Sequence, residues 1–137
     1  MENQTNKNTV KKILIVEDDS ALRDILADNL ATEGYTVLKA KSGAEGLELA
    51  LSEHPDLILL DIILPDEDGI GLLKKIRVDE TWGKHAKVVM LSNLSDNQSV
   101  AASLELGARS FLVKSDWKIQ DVLGVIHDEL KDWPTTN

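Results

Sequence analysis

Four short, unbroken apolar runs, Ile13-Leu14-Ile15-Val16, Leu57-Ile58-Leu59-Leu60, Val88-Val89-Met90-Leu91 and Phe111-Leu112-Val113, alternate along this chain with segments of helical period. Runs this short and continuous suit strands buried on both faces, as in a parallel sheet. A weaker fifth strand, Tyr35 to Lys39, follows Gly34, which suits a helix C-cap. Between the strands, Leu22, Ile25, Leu26 and Leu30 recur on one helical face. Ser42 and Glu45 have capping-box spacing and open a second helix that Pro55 prevents from continuing, so it ends near Glu53. A third helix is expected from about Gly69 to Arg77. Ser95 to Gln98 repeat the capping pattern ahead of Val100 and Leu104, with Gly107 as a left-handed stop. Ile119, Val122, Leu123, Ile126 and Leu130 make the last apolar stripe. Strand then helix, five times over, with right-handed crossovers, predicts a doubly wound α/β domain with helices on both faces of the sheet.

The 137 residues suit one domain with one main site. Residues 11–132 carry the pattern, and residues 1–10 and 133–137 read as polar tails. With 24 acidic against 15 basic side chains, the net charge of -9 works against direct nucleic-acid binding and against an anionic lipid surface. No cysteine is present, so disulfides, thiolate chemistry and Cys-ligated metal are excluded. The polar start has no signal-peptide core and no run approaches a membrane span, which predicts a cytoplasmic protein.

In doubly wound sheets, ligands bind outside the carboxyl ends of the strands, where strand order reverses. The first strand runs into Glu17-Asp18-Asp19, the third ends at Asp61, the fourth is followed by Ser92 and the fifth by Lys114. Carboxylates, a hydroxyl and an amine on one edge form a coherent set for phosphoryl chemistry. Two carboxylates about 4 Å apart repel by roughly 4 kcal/mol at an effective dielectric near 20, so the acidic cluster calls for a divalent cation. Mg²⁺, or Mn²⁺ in its place, prefers such oxygen ligands. Asp61 could then act as nucleophile to form an acyl phosphate, with Lys114 and the metal stabilising charge on the transferring oxygens and Ser92 donating to the product phosphate.

Together the motifs KILIVEDD, LILLDIILPDEDG, VVMLSN, LGA and FLVK, in this order and each near a strand end, resemble a two-component response-regulator receiver domain over about residues 11–132. The resemblance implies a flavodoxin-like receiver fold with strand order 2-1-3-4-5, similar to the single-domain chemotaxis regulators of bacteria. It implies Glu17 and Asp18 as the acidic metal pocket, Asp19 as cap of the first helix, and Asp61 as phosphoacceptor and metal ligand. The backbone carbonyl of Ile63 would be a further ligand, Lys114 the family's lysine, Ser92 the switch hydroxyl and Phe111 the switch aromatic. The implied partners are a histidine kinase or histidine phosphotransfer protein and an output protein meeting the fourth helix, fifth strand and fifth helix. The chain would be a monomer or a phosphorylation-dependent dimer, and a signalling switch rather than an enzyme on other substrates.

Two departures carry expectations. Ser115 stands where the family commonly has proline, so the loop into Ser115-Asp116-Trp117 is expected to take its own path. Ile63 and Leu94 are apolar where polar residues often place an attacking water, which predicts slow self-dephosphorylation. Competing readings are weaker. A haloacid-dehalogenase-type phosphatase needs an acid two residues after its nucleophile, where this chain has Ile63. A flavodoxin-like electron carrier needs a hydroxyl- and glycine-rich loop where Glu17-Asp18-Asp19 would repel phosphate. A receiver-like binding module that signals without phosphorylation is disfavoured by the intact acidic pocket and lysine. Taken alone, Phe111 would be core, His54, His85 and His127 surface residues, and Trp82, Trp117 and Trp133 packing or lid residues, with Trp117 the one that could face a partner.

Overall fold

Burial on both faces is what the three central apolar runs require, and the computed structural model, which describes residues 10–93, 97–116 and 118–131, meets it with five parallel strands. The chain order is β1 (Lys12–Val16), α1 (Ser20–Thr32), β2 (Thr36–Ala40), α2 (Gly43–Glu53), β3 (Leu57–Leu60), α3 (Gly69–Val78), β4 (Val88–Ser92), α4 (Asn97–Glu105), β5 (Ser110–Val113) and α5 (Ile119–Leu130). Short 3-10 turns at Gly83–His85 and Lys114–Asp116 complete the described elements. The sheet order is β2-β1-β3-β4-β5, so the chain reverses its direction of travel between β1 and β3. The ladders pair Val16 with both Ala40 and Leu60, Leu60 with Met90, and Ser92 with Val113.

Strand alternation divides the core in two. Leu14, Val16, Ile58, Leu60, Val88 and Met90 face α2 and α3 and pack with Ala50, Leu72, Leu73 and Ile76. Ile13, Ile15, Leu57, Leu59, Val89 and Leu91 face α1 and α5 and pack with Leu26, Leu30, Val122, Ile126 and Leu130. Caps fix where three helices begin: Asp19, Ser42 and Asp68 accept from the backbone N–H groups of Leu22, Glu45 and Ile70. Glu45 reaches back to the N–H of Lys41, one residue earlier than a regular capping box would place it. Gly34 and Gly107 take the positive φ that ends α1 and α4.

Four expectations need correction. β5 is half-buried rather than buried, because it is the edge strand with one neighbour. Ile25 is 47% exposed, and Ala27 takes the inward place beside Leu26, since the buried stripe of α1 keeps Leu26 and Leu30 but is displaced toward Ala27 from the apolar pattern. Leu104 points outward. β2 begins at Thr36 and ends at Ala40, one residue later than expected. The tails at 1–9 and 132–137, including Trp133, and residues Leu94, Ser95, Asp96 and Trp117 lie outside the described residues. The three histidines are exposed, and His54, a left-handed C-cap of α2, stacks on Trp82 with ring centroids 4.9 Å apart. No described helix is long and apolar enough to cross a membrane.

One side chain ties two connections together. Arg77, in the last turn of α3, donates to the carbonyls of Leu106 and Gly83 at 2.7 Å, Ala86 at 2.8 Å and Gly107 at 3.2 Å. It satisfies backbone acceptors at the end of α4 and before β4 at once. Arg77→Ala leaves these carbonyls without their donor. Because hydrogen bonds to charged groups contribute roughly 1.5 to 3 kcal/mol each and partly overlap in one network, a loss of about 3 kcal/mol is expected. Thermal unfolding should move down by about 10 °C, whereas a Tm within a degree of the parent would show that the carbonyls are otherwise satisfied.

Candidate functional site at the carboxyl edge of the sheet

The ladder continues one residue past the ends of β1 and β3, with Glu17 N donating to Ala40 O at 3.0 Å and Asp61 N to Val16 O at 3.1 Å. Because these strands are neighbours in register, Glu17 and Asp61 come to lie side by side. Both are nearly inaccessible, at 1% and 4% exposure. Asp18, next along the chain, is exposed, and one carboxylate oxygen from each of the three residues lies within 4.8 Å of the others. At that separation each pair of charges repels by about 3.5 kcal/mol at an effective dielectric near 20.

Lys114 answers part of this repulsion. It leaves the end of β5 and spans two inter-strand spacings, about 9 to 10 Å, to the β3 end. Its ammonium lies 2.9 Å from Asp61 Oδ2 and 2.6 Å from Glu17 Oε1. The second contact is an ion pair without a hydrogen bond, so Glu17 Oε1 is buried with no hydrogen-bond donor. The other oxygen, Oε2, accepts from Asp19 N at 3.1 Å. Burial and the Asp61 charge hold the Glu17 carboxyl above the usual range despite the ammonium and the Asp19 N–H. Burial alone would lower the Lys114 ammonium, but the carboxylates of Glu17 and Asp61 beside it prevail and raise it above an ordinary lysine. Both directions follow from the same buried group of charges, two carboxylates against one ammonium.

Glu17, Asp18, Asp61, Ile63, Ser92 and Lys114 all line one cleft of about 230 Å³. Asp19 and Asn93 complete it. Ser92 ends β4 fully buried, while the Ile63 side chain is 56% exposed and its N–H donates to Asp61 Oδ1 at 3.3 Å. Phe111 is not part of this wall. It is half-buried and packs against the core on the α2 and α3 side. At the Ser115 departure, Lys114–Asp116 form a 3-10 turn without a cis peptide, and Lys114 still reaches the acidic cluster.

Two supports escaped the sequence reading. Asp66 lies in the loop after β3 and accepts from the N–H groups of Gly43 and Ala44 at 2.8 and 2.9 Å, which holds its carboxyl below the usual range. It therefore clamps that loop to the start of α2, a contact across 23 residues that no local pattern announces. Asn93 follows Ser92 directly and was legible only as a neighbour. Arg23 holds the β1 end by donating to Glu17 O at 2.8 Å. Gly69 allows the chain to fold back on the loop that follows β3, since a side chain there would collide with the Asp61 carbonyl.

The donor set fits a hard divalent cation. It is all oxygen, carries more negative charge than Lys114 neutralises, and includes a buried Glu17 oxygen lacking a donor.

Comparison with known proteins agrees with this arrangement. The family model of the response regulator receiver domain matches residues 13–126. A probable transcriptional regulator ycf27 of Guillardia theta is 40% identical over 106 residues, covering 77% of this chain and 40% of its own length. The alkaline phosphatase synthesis transcriptional regulatory protein PhoP of Bacillus subtilis is 38% identical over 104 residues, covering 76% of this chain and 42% of its own length. The chain thus spans about two fifths of the length of the curated relatives it matches. The crystal structure of a CheY-like receiver domain protein from Methanospirillum hungatei JF-1 superposes with a TM-score of 0.83 at 34% identity, covering 89% of this chain and 94% of that one. With its five-stranded order, its acidic edge and a family match across most of its length, the chain belongs to the response regulator receiver domains of two-component systems.

Proposed function

We propose that the domain accepts a phosphoryl group on Asp61 from a phosphohistidine donor, either a histidine kinase or a histidine phosphotransfer protein, and that this switches a protein-binding face. The observation that carries the reading is the convergence of the Glu17, Asp18 and Asp61 carboxylates within 4.8 Å under the Lys114 ammonium. Asp18, Asp61 and the carbonyl of Ile63 would hold Mg²⁺ or Mn²⁺ directly and Glu17 through water. When bound, the cation offsets the charge of the carboxylates and of the incoming phosphoryl oxygens.

This chain's own residues supply the remainder. An Asp61 oxygen attacks phosphorus, the P–N bond to the donor imidazole breaks, and the electron pair leaves with the ring nitrogen. Lys114, now pairing with Asp61 Oδ2, stabilises charge on the transferred group. Ser92, at the wall of the same cleft, donates its hydroxyl to a phosphate oxygen. Phe111 lies on β5 outside the cleft, where it packs against the core, so its part would be to move with β5 once Ser92 is drawn in. The face that changes affinity is built from α4, β5 and α5 and meets an output protein, with the domain working as a monomer or as a dimer formed on phosphorylation. It acts as a switch on itself rather than as an enzyme on other substrates, and operates in the cytoplasm without contacting nucleic acid directly.

Intact mass after incubation with acetyl phosphate and Mg²⁺ tests the chemistry. One phosphoryl adduct is expected, absent in Asp61→Asn and without metal. No adduct under any condition would leave a receiver-shaped binding module that signals without phosphorylation.

The lifetime of that adduct reports on Ile63. An exposed apolar side chain at the mouth cannot orient a water, so the parent should keep its phosphoryl group far longer than Ile63→Asn, measured by mass at intervals after the donor is removed. Loss of the adduct from the parent within minutes would contradict this.

Glu17 gives a stability test whose sign depends on metal. Its folded pKa is raised, so its neutral form favours folding fully below the ordinary value of 4.5, and that contribution is lost as pH rises through the folded pKa. Metal-free Glu17→Gln should therefore have a higher Tm than the parent at pH 7, with the gap closing below pH 4.5. Metal should reverse the order, because the parent gains about 2.7 kcal/mol at roughly 100 times its Kd. Equal Tm values with and without metal would remove Glu17 from the site.

A further inference from the structure

The larger cleft of this protein is at the other end of the sheet. It measures about 500 Å³ and opens where β4 and β5 begin, lined by Arg77, Lys84, His85, Lys87 and Arg109, with Glu105 the acid in its wall. Four of the chain's 15 lysines and arginines therefore converge on one concavity of a molecule whose net charge is -9. Two carboxylates, Glu105 in the wall and Glu129 paired with Arg109, stand against these four cations. Arg77 is bonded to carbonyl oxygens alone, and its four bonds use four of the five guanidinium N–H groups. Lys87 donates to the backbone carbonyl of Glu129, and Arg109 pairs with the Glu129 carboxylate at 2.8 Å. Lys84 is exposed on the 3-10 turn and has no ion-pair partner among the described residues.

We propose that this cleft is a second binding site, which takes a carboxylate-rich segment of a protein partner. Charge complementarity points to an anion, and the remaining geometry narrows the kind. Lys84, His85, Glu105, Gly107 and Arg109 are exposed, so a small ligand would stay largely wet, whereas pockets for small molecules cover most of their ligand. A nucleic acid extends well beyond a cleft of this size, and its charge, one per about 1.7 Å in a duplex, would run against the acidic remainder of the surface. A few acidic side chains on an extended segment match both the size of the cleft and its spaced cations. Arg77 provides the fixed point, since it is held on four sides, and Lys84 and Arg109 are the adaptable arms. The site stands apart from the phosphoryl reading, because its lining shares no residue with the acidic cleft.

The test titrates the whole chain with a fluorescein-labelled octaglutamate peptide, followed by anisotropy and by amide NMR shifts. Binding is expected to move the amides of Arg77, Lys84, Lys87, Leu106 and Arg109 first and to weaken severalfold as salt is raised. Lys84→Glu should weaken it tenfold or more, while Lys41→Glu, an exposed lysine far along the chain, should leave it unchanged. Asp61 phosphorylation should proceed alike in both variants, so the outcome is independent of that chemistry. Equal losses in the two variants, shifts scattered over the surface, or tighter binding of a labelled octathymidylate than of the peptide would each overturn the proposal.

Discussion

The structure is organised by a repulsion that it does not remove. β1 and β3 are neighbours in a parallel sheet, so whatever follows each strand must share one small region, and here the followers are Glu17 and Asp61. Both are buried, where charge is least tolerated. A single ammonium from β5 stands against three carboxylates. The rest of the edge exists to hold this arrangement in place. Asp19 fixes one Glu17 oxygen, Arg23 holds the β1 end, Gly69 lets the chain turn back behind Asp61, and Asp66 pins the same loop to α2. Charge left unbalanced among buried groups is sensitive to small displacements, because those groups cannot relax into water.

How such a site connects to a distant face follows from the same strands. Lys114 is the last residue of the path from β5 to Asp61, and Ser92 pairs in the ladder with Val113, the residue just before it. A pull on Ser92 or on Lys114 is therefore felt in β5, the half-buried edge strand. The central strands have no such freedom, since their side chains are packed on both sides. Edge position, which made the fifth apolar run less buried than its composition promised, also leaves β5 less confined by packing than the central strands.

The division between what was legible and what was not has a physical basis. Strand runs, helix caps and the residues immediately after each strand are local, so Asp61, Ser92 and Lys114 could be placed at one edge from spacing alone, and the sheet order followed once the motifs were matched. Glu17 and Asp18 needed the resemblance, because three successive acids offer no local reason to prefer two of them. Ile25 misled because apolarity marks a helix face only to within a residue, and Ala27 was small enough to take the inward place. Asp66, Arg77 and the basic cleft were invisible for a different reason. Their partners lie 22 to 30 residues away or converge from separate connections, and such contacts exist only after the layers have packed.

The two ends of the sheet are consequently of opposite sign. Carboxylates collect where the strands finish, and guanidinium and ammonium groups collect where β4 and β5 begin. Strand dipoles contribute little, so this polarity is carried by side chains. It is set against an overall charge of -9, which makes the basic end the exception on the surface. Arg77 explains its own presence by the carbonyls it satisfies, but Lys84 satisfies none among the described residues, and Arg109 is held by one carboxylate on an exposed rim. Lys84 is thus the cation of this cleft that the described residues leave for a partner outside the molecule, as the proposed second site requires.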